Sequence, residues 1–416
     1  MKKVALITHE MSVVGGLPTM VKFLYRTLLE SGRYDPTLIS LATSASDQAS
    51  LQLMSPGSWL QGAQIQKIVW HDLMFNHAGV WGSELEFQRY RPRRKLSELL
   101  EPYDILQFVV GSSPWARVAR HTNRPILIWT ATTTSADRAS QRREASFQRR
   151  VWSSLMMPIT EQYERRSLEA ANTIFALSEY TKTIVEAKVG RDKVLLAPCG
   201  VDTSMFHPTP TPNGNYILSV GRFSDPRKNV RLLLEAYAEL CRRMPDSPDL
   251  YLVGEQPLEA VQLHLIKLGL ANKVGLIGPK KGEELAEIYR RAKFFVLSSD
   301  EEGLAIVILE AMASGLACVS TDCGGPATAV KNGRTGFLTP VGDAAQLASR
   351  MAALLADERL RLQMGKAARK VAEERFSLAA TGQVFLRRYD ELLGHAEPCS
   401  IDSRENTEAG QLRVMA

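Results

Sequence analysis

The sequence predicts an α/β protein of two Rossmann-like, doubly wound domains that face a central cleft. Short apolar runs alternate with amphipathic or loop segments along most of the chain. A proline- and threonine-rich stretch at residues 207–215 interrupts this alternation, which then restarts. Alternating strands and helices are typical of parallel sheets covered by helices, and a restart after a breaker-rich linker indicates a second sheet.

The first domain is predicted to span residues 1–200. VALIT predicts a strand, HEMSVVGG a glycine loop, and LPTMVKFLYRTLLESG a helix with apolar residues on one face. The later strands of this domain are predicted at YDILQFVV, PILIWTAT, NTIFALS and KVLLAP. Continuous apolar runs of this length are typical of buried parallel strands.

The second domain is predicted to span residues 201–375. Its strands are predicted at YILSVGR, DLYLVGE, KVGLIG, KFFVLSS and ACVSTD. One last helical stretch from LRLQMGK to DELL follows, and the polar residues 396–416 predict a disordered tail. Because doubly wound sheets bind ligands beyond the carboxyl ends of their strands, we expect the site in the cleft.

Composition narrows the class of protein. Hydrophobic residues make up 45% and charged residues 23% of the 416, which is typical of a folded soluble protein. The five cysteines include no C-x-x-C, so neither a disulfide framework nor a zinc site is indicated. The N-terminus has too short an apolar run for a signal peptide, and no later run is long enough for a spanning helix. We therefore expect a cytoplasmic protein, either soluble or peripheral on the inner face of the membrane.

The segment EEGLAIVILEAMASG, residues 301–315, places Glu302 and Glu310 around an aliphatic run. Acidic residues are costly to desolvate there unless they are paired, so both are candidate ligand contacts. The pattern predicts a loop that holds Glu302 and then a helix with Glu310 about two turns in. Amides at the helix N-terminus form an anion site between the two carboxylates. These amides belong to Gly303, Leu304, Ala305 and Ile306.

This layout matches a nucleotide sugar, which has sugar hydroxyls, a diphosphate and ribose hydroxyls in that order. In the alternative interpretation Glu302 is a solvated loop residue and Glu310 a charge favoured by the helix dipole.

Two further segments carry candidate phosphate contacts. GRFSDPRKN places Arg222 and Lys228 around an Asp-Pro turn, where both cations could clamp a diphosphate. Solvated surface cations are the alternative. Gly15 and Gly16 would let the backbone approach a bulky anion, although a plain tight turn explains them as well.

Together, EGLAIVILEAMASG, GR followed by KN, APCGVDTSMFHP and GGLPTMV resemble the retaining glycosyltransferases of family 4, which have the GT-B fold. The resemblance runs from about residue 1 to residue 393. It implies that the final helices, around residues 376–393, return to brace the first domain. In that family the first glutamate contacts the donor sugar, the second contacts ribose, the cations bind the diphosphate and the glycine loop approaches it from the opposite domain. By match these are Glu302, Glu310, Arg222, Lys228, Gly15 and Gly16.

The resemblance implies transfer of a sugar from a UDP- or GDP-sugar to a hydroxyl, with retention of the anomeric configuration. The acceptor would be a saccharide, a lipid-linked molecule or a small molecule. The sequence contains no D-x-D, so no metal or other cofactor is expected, and Arg222, Lys228 and Glu302 are the expected catalytic residues. The alternative is a catalytically weak nucleotide-sugar-binding protein of the same fold.

Three positions depart from the family pattern. Ala131 stands where a histidine usually faces the donor sugar, Ala305 where a second glycine is common, and Thr328 where a glutamate is common. The departure at residue 131 raises a question about the acceptor side more than about donor binding. His9 and His121 are the candidate substitutes for the missing histidine, although a lone histidine in a loop is more often a solvated surface residue.

Basic charge is concentrated between Arg89 and Arg150, where thirteen Arg and Lys face five Asp and Glu. This part of the chain includes a predicted helix with one apolar face, which could simply pack on the first domain. Residues 89–157 are also a candidate surface for an anionic membrane or a lipid-linked acceptor. Nucleic acid is not expected, because no recognition motif accompanies the charge.

Overall fold

The computed structural model of the protein describes residues 1–9, 16–70, 73–136, 138, 147–209 and 214–394, without the side chains of 147–153 and 155. These residues form two sheets, with eight and six strands. The predicted fold class, two parallel-sheet α/β domains, is confirmed. The tail at 396–416 lies outside the described residues.

The first sheet has the strand order β3-β4-β2-β1-β5-β6-β7-β8. Its neighbours are parallel except for β3 and β4, which pair antiparallel at the edge. The strands are β1 Lys2–His9, β2 Tyr34–Leu41, β3 Ile65–Trp70, β4 Leu73–Ala78, β5 Ile105–Val110, β6 Ile126–Thr130, β7 Thr173–Ala176 and β8 Val194–Leu196.

The second sheet has the order β11-β10-β9-β12-β13-β14, and all its neighbours are parallel. The strands are β9 Tyr216–Arg222, β10 Asp249–Glu255, β11 Val274–Ile277, β12 Phe295–Leu297, β13 Cys318–Thr321 and β14 Gly336–Thr339. In both sheets the first strand in the chain lies near the middle of the order. Because it is parallel to its neighbours, the carboxyl ends of these strands lie at the same edge of the sheet.

Helices cover both sheets because each buries one apolar stripe. The first helix, for example, buries Met20, Val21, Leu24 and Leu28, spaced so that they share one face. The described α-helices are Gly16–Glu30, Pro56–Trp59, Glu86–Arg89, Arg94–Leu100, Phe147–Ala170, Glu179–Val189, Val230–Arg243, Glu259–Lys267, Gly282–Arg291, Ile306–Ala313, Pro326–Ala329, Ala344–Ala356, Glu358–Phe376 and Leu378–Leu393. Two 3₁₀ helices are described at Ser113–Ala119 and Pro226–Lys228.

The single helical stretch predicted after the second domain is wrong, since Ser377 divides it. Ser377 has an extended backbone, with φ −62° and ψ 154°, and its side chain accepts a hydrogen bond from the Ala380 amide. An N-cap with β-region dihedrals starts a new helix instead of continuing the old one. The chain thereby changes direction and leads back to the first domain.

The last helix, Leu378–Leu393, packs on the first domain. The Tyr389 hydroxyl donates to Gln107 on β5 at 2.9 Å, and Tyr34 on β2 donates to Asp390 at 2.5 Å. Phe385 lies between the first helix and the sheet, with its ring 6.2 Å from Phe23. The largest apolar core therefore continues from the first sheet through this helix into the second domain.

Candidate functional site in the interdomain cleft

Two loops at the carboxyl end of the second sheet are fastened to each other. One follows β9 and the other follows β12. The Asn229 side chain donates to Asp300 at 2.8 Å, the Asp300 amide donates to the Arg227 carbonyl at 2.8 Å, and the Ser298 hydroxyl donates to the Lys228 carbonyl at 2.9 Å. The backbone around Lys228 is thus held beside the loop that carries Glu302.

Lys228 and Glu302 form an ion pair in the cleft. The lysine Nζ lies 2.6 Å from Glu302 Oε1, and the side chains are 16% and 12% exposed. Ser299 donates to the same carboxylate oxygen at 2.6 Å. A charge-assisted pair of this kind aligns both groups, and the small exposed fraction leaves room for a polar ligand to compete for either partner.

Arg222, the last residue of β9, is held by Asp225. Its Nη2 lies 3.3 Å from the carboxylate, which Arg227 contacts more closely at 2.8 Å. Burial alone would raise the pKa of Asp225, but the hydrogen bonds and charge of Arg227 lower it below the ordinary value. Asp225 therefore stays ionised and orients two arginines at the mouth of the cleft.

The backbone of Glu302 is fixed by a glycine pair that follows β13. The Gly325 amide donates to the Glu302 carbonyl at 2.9 Å, and Glu302 bridges to Gly324 in parallel fashion. A Cβ on Gly325 would lie 2.5 Å from the Gly303 carbonyl carbon and 2.6 Å from the Glu302 carbonyl oxygen. Only glycine fits here, so this residue sets how closely the two loops approach each other.

The helix after Glu302 begins at Ile306, so the predicted helical amides of Gly303, Leu304 and Ala305 lie before its first turn. Ala305 is the N-cap residue and has left-handed dihedrals, with φ 65° and ψ 76°. Glu310 is therefore just over one turn into the helix and not two. The left-handed conformation also explains why glycine would suit position 305, since alanine costs about 1–2 kcal/mol there.

Replacing Ala305 by glycine is expected to stabilise the protein by about 0.5–1 kcal/mol, because relief of the left-handed strain outweighs the added entropy of the unfolded chain. Urea unfolding measures the change. Ala238→Gly, within helix Val230–Arg243, is the control and should destabilise by about 1 kcal/mol. Equal losses in the two variants would contradict the strain at Ala305.

Glu310 lies deeper in the cleft, where it is partly exposed. The hydroxyl of the fully buried Tyr289 donates to Glu310 Oε2 at 2.9 Å. Burial raises the pKa of Glu310 to about 7, and the Tyr289 hydrogen bond opposes that rise. In the unliganded protein this carboxyl group therefore titrates near neutral pH. Perturbed acids in clefts are frequent at functional sites.

The first domain contacts these loops across the cleft. Gly16, at the start of the first helix, faces Ile306, whose Cδ1 would lie 3.9 Å from a Cβ on the glycine. Gly15 lies outside the described residues. Ala131, after β6, lies beside Gly303, and a Cβ on Gly303 would lie 3.1 Å from the Ala131 carbonyl oxygen. Residue 131 therefore has a small side chain at a point where the two domains approach each other closely.

Thr328 has a structural role that the sequence did not indicate. Its hydroxyl accepts a hydrogen bond from the Glu179 amide at 3.0 Å, at the first turn of helix Glu179–Val189 in the other domain. Tyr180 packs its ring on Gly324, and Thr181 donates to the Ala131 carbonyl at 2.7 Å. This helix end therefore joins the first domain to the glycine pair behind Glu302.

The two histidines considered as substitutes lie in different places. His9 ends β1 at the cleft edge, stacks on Trp115 at 4.7 Å and accepts a hydrogen bond from the Gly111 amide at 3.1 Å. Burial lowers the pKa of His9 to about 4, so the ring is neutral at physiological pH. His121 is exposed and precedes β6, at the opposite edge of the sheet, so it is wrong as a candidate for the cleft.

Several residues that shape the site were missed from the sequence: Ser299, Asp225, Asn229, Tyr289, Gly324 and Gly325. The dipeptide GG at 324–325 was the available signal, because paired glycines after a strand indicate close backbone approach. Tyr289 gave no such signal.

Three further predictions concern a metal site, membrane-spanning helices and the basic segment. Among the described residues, no three His, Cys, Asp or Glu side chains are grouped to hold a metal ion. None of the helices in the described ranges combines the length and the apolar character that crossing a bilayer needs. Of the basic segment 89–157, residues 137 and 139–146 lie outside the described part.

Comparison with known proteins bears on the second domain first. The model of the family glycosyl transferases group 1 matches residues 202–371, the segment that contains both fastened loops. Residues 202–371 form a glycosyl transferases group 1 domain. The resemblance drawn from the sequence motifs is thereby confirmed for this domain.

Curated relatives match a little more than half of the chain. The chain is 29% identical over 257 residues to D-inositol 3-phosphate glycosyltransferase of Nocardia farcinica, covering 57% of this chain and 56% of that protein. It is 31% identical over 251 residues to a GDP-mannose-dependent α-(1-6)-phosphatidylinositol monomannoside mannosyltransferase of Mycolicibacterium smegmatis, covering 56% and 65%. The matched part thus spans about half to two thirds of these relatives.

Solved structures extend the similarity to both domains. Sucrose-phosphate synthase from Thermosynechococcus elongatus superposes with a TM-score of 0.73 at 20% identity, covering 95% of this chain and all of that chain. HepE of Anabaena, in complex with UDP and glucose, superposes with a TM-score of 0.68 at 17% identity, covering 94% and 100%. The glycosyl transferases group 1 domain is therefore the second half of a GT-B fold.

Proposed function

We propose that the protein is a retaining glycosyltransferase that moves a sugar from a UDP- or GDP-sugar to a hydroxyl acceptor without a metal ion. The observation that carries the proposal is the ion pair of Lys228 and Glu302, held by Ser299 at the entrance to helix Ile306–Ala313. It places a cation, an acceptor of hydroxyl hydrogen bonds and a helix N-terminus within one cleft. A nucleotide sugar needs all three.

In the proposed mechanism the donor diphosphate competes with Glu302 for Lys228. The lysine then stabilises the negative charge that grows on the leaving nucleoside diphosphate, with Arg222 and the helix N-terminus as further contributors. Glu302, released from the lysine, accepts hydrogen bonds from hydroxyls of the donor sugar. Retention is what the family resemblance implies: the acceptor attacks from the face that the leaving group departs, and the phosphate oxygen takes its proton.

Glu310 is assigned to the ribose hydroxyls. Its pKa of about 7 gives a testable pH dependence, because only the ionised carboxylate accepts hydrogen bonds from both hydroxyls with both oxygens. Donor affinity is therefore expected to rise with pH toward about 8, and to fall by up to about tenfold per pH unit below the pKa of Glu310. Calorimetric titration from about pH 5.5 to about pH 8.5, roughly 1.5 units on either side of that pKa, measures the donor affinity.

Glu310→Gln is the control for this pH profile. It keeps an acceptor for the Tyr289 hydroxyl and removes the titrating group, so its donor affinity should be lower at high pH and nearly flat across the range. The folding stability of the unliganded wild type is expected to change with pH in the opposite direction to its donor affinity. Its folded state holds the Glu310 proton more tightly than the unfolded chain, so this group makes it less stable as pH rises through about 7. If donor affinity rose with pH equally in both proteins, the assignment of Glu310 to the ribose hydroxyls would be wrong.

Turnover is expected to survive EDTA, because Arg222, Lys228 and a helix N-terminus supply positive charge for the proposed diphosphate position and the sequence contains no D-x-D. Release of nucleoside diphosphate is measured before and after chelation, then with added Mg²⁺ or Mn²⁺. Loss of turnover with EDTA that either metal restores would count against the cationic clamp.

A thermal-shift screen of UDP-, GDP- and ADP-sugars tests the proposed function first, since a ligand that binds only the folded state raises apparent stability. Nucleoside diphosphate release with candidate acceptors follows. The alternative, a donor-binding protein with little turnover, is favoured by one observation: Ala131 puts a methyl group beside Gly303 where the family has a histidine. Saturable donor binding without release in the presence of acceptors would select that alternative.

A further inference from the structure

An apolar loop projects from the first domain beside the edge hairpin β3–β4. We define it by Met54, Trp59, Leu60 and Trp81, which are 88%, 57%, 95% and 53% exposed. Single exposed apolar side chains are ordinary on protein surfaces, but large ones gathered in one patch mark an interaction site.

The apolar loop is one surface because its two segments are hydrogen-bonded to each other. The Leu51 amide donates to the Val80 carbonyl at 2.9 Å, and the Gly82 amide donates to the Leu51 carbonyl at 2.8 Å. Trp59 satisfies its indole N–H on the Gln52 carbonyl at 2.9 Å and leaves its ring outside. The loop backbone thus holds apolar rings and aliphatic chains in water.

Four arginines, Arg91, Arg117, Arg120 and Arg166, form a basic cluster next to this loop. The guanidinium carbon of Arg117 lies 3.9 Å from the centre of the Tyr163 ring, and its Nε and Nη1 are buried with no hydrogen-bond partner among the described residues. Arg120 caps the same 3₁₀ helix as Arg117, with its amide donating to the Arg117 carbonyl at 3.2 Å, and Arg166 follows Tyr163 by three residues on helix Phe147–Ala170. Burial lowers the pKa of Arg117, and so does the positive charge of the three other arginines. Such a cluster is stabilised by an anion.

The basic cluster adjoins the apolar loop through Gln88. A Cβ on Gly82, next to Trp81, would lie 3.8 Å from Gln88 Cγ, and the Gln88 amide oxygen accepts from Arg91 Nη1 at 3.3 Å. Exposed tryptophan, leucine and methionine therefore border arginines that form no ion pair with an acidic side chain among the described residues. The hydrogen bonds and ring contacts described for this combination all lie within the first domain, whereas the proposed donor site is built mainly on loops of the second domain.

We propose that the apolar loop and the basic cluster together dock the protein on an anionic phospholipid bilayer. Trp59, Leu60 and Met54 would enter the interfacial region, where amphipathic rings and aliphatic chains are favoured, while the arginines contact lipid phosphates. A second copy of the chain is a poorer occupant, because an isologous interface would set the basic cluster against itself. The proposal goes beyond the proposed transferase activity and does not depend on it.

Co-sedimentation of the full chain with vesicles tests the proposal, using phosphatidylcholine with and without phosphatidylglycerol. One variant, Arg91→Gln/Arg120→Gln/Arg166→Gln, removes three charges and keeps Arg117 on Tyr163. Another, Trp59→Ser/Leu60→Ser, removes the apolar tip. The matched control, Arg231→Gln/Arg242→Gln/Lys370→Gln, removes three exposed charges from the other domain and its adjoining helix.

Wild type and control are expected to bind vesicles that contain phosphatidylglycerol, and more weakly as salt rises. The arginine variant should bind more than about tenfold more weakly, since each cation near such a surface contributes roughly fivefold. The apolar variant should also bind at least about tenfold more weakly. Vesicles should shift wild-type tryptophan emission to the blue, and Trp59→Phe/Trp81→Phe should lose most of that shift while it still sediments.

Absence of wild-type binding to the anionic vesicles would overturn the proposal. So would equal losses in the arginine variant and the control, or a wild-type dimer that Trp59→Ser/Leu60→Ser dissociates in sedimentation velocity. The thermal shift with nucleotide sugars is measured on the same variants and should be unchanged. A protein that binds vesicles but no donor would refute the transferase proposal alone.

Discussion

Lys228→Ala is expected to reduce donor turnover by about a hundredfold or more, which is the effect of losing one group that stabilises transition-state charge in a preorganised site. The lysine Nζ is already placed 2.6 Å from the Glu302 carboxylate, and its backbone is held by Ser298 and by the turn at Asp225. Initial rates of nucleoside diphosphate release, at saturating donor, measure the change.

The same substitution leaves Glu302 without its cation, so loss of stability must be separated from loss of turnover. The double variant Lys228→Ala/Glu302→Gln removes both charges and should recover most of the thermal stability while turnover stays low. Lys280→Ala, which breaks an exposed pair with Glu284, is the matched control and should behave as wild type. Wild-type turnover in Lys228→Ala would refute the assignment of the lysine to the diphosphate.

The fold was predictable because its signals are local. Most buried parallel strands are short apolar runs, and the breaker-rich linker at 207–215 separates two series of them. Strands β2 and β14 contain polar residues or glycine and were not predicted. The edge hairpin β3–β4 was missed for the same reason: its residues are largely half-buried or exposed, so no apolar run stands out. The break at Ser377 was missed because the flanking segments are both strongly helical.

From the sequence, only the site residues that belong to recognisable motifs could be predicted. The prominent glutamates and cations of those motifs do meet at one cleft, as Lys228 and Glu302 show. What fixes them comes from distant parts of the chain. Asn229 reaches Asp300, and Tyr289 reaches Glu310, through contacts that depend on the packed sheet and not on sequence spacing. Such pairs cannot be read from one sequence.

The fold shows the surroundings of two departures from the family pattern. Ala305 occupies a left-handed position that glycine would adopt without strain, so the chain accepts a local cost at the entrance to the helix. Thr328 replaces an acidic side chain with a hydroxyl that caps a helix of the opposite domain. A carboxylate could also accept that hydrogen bond, so nothing in the structure explains the choice of threonine over glutamate.

Gly325→Ala is expected to reduce donor binding by about tenfold or more and turnover further, although residue 325 need not touch the donor. Its Cβ would lie 2.5 Å from Gly303 and Leu304 backbone atoms, so the loop that presents Glu302 must move away from residue 325 and change its position relative to Lys228. Backbone overlap of this kind costs about 1–3 kcal/mol, and displacing a catalytic group by about 1 Å costs about a hundredfold in rate.

Gly57→Ala, where nothing lies within 4 Å of a new Cβ, is the control and should leave donor binding and turnover unchanged. The test measures donor binding by titration, turnover by nucleoside diphosphate release, and stability by thermal unfolding, on both variants. If Gly325→Ala binds and turns over the donor as wild type does, the position of the Glu302 loop is not what limits the site.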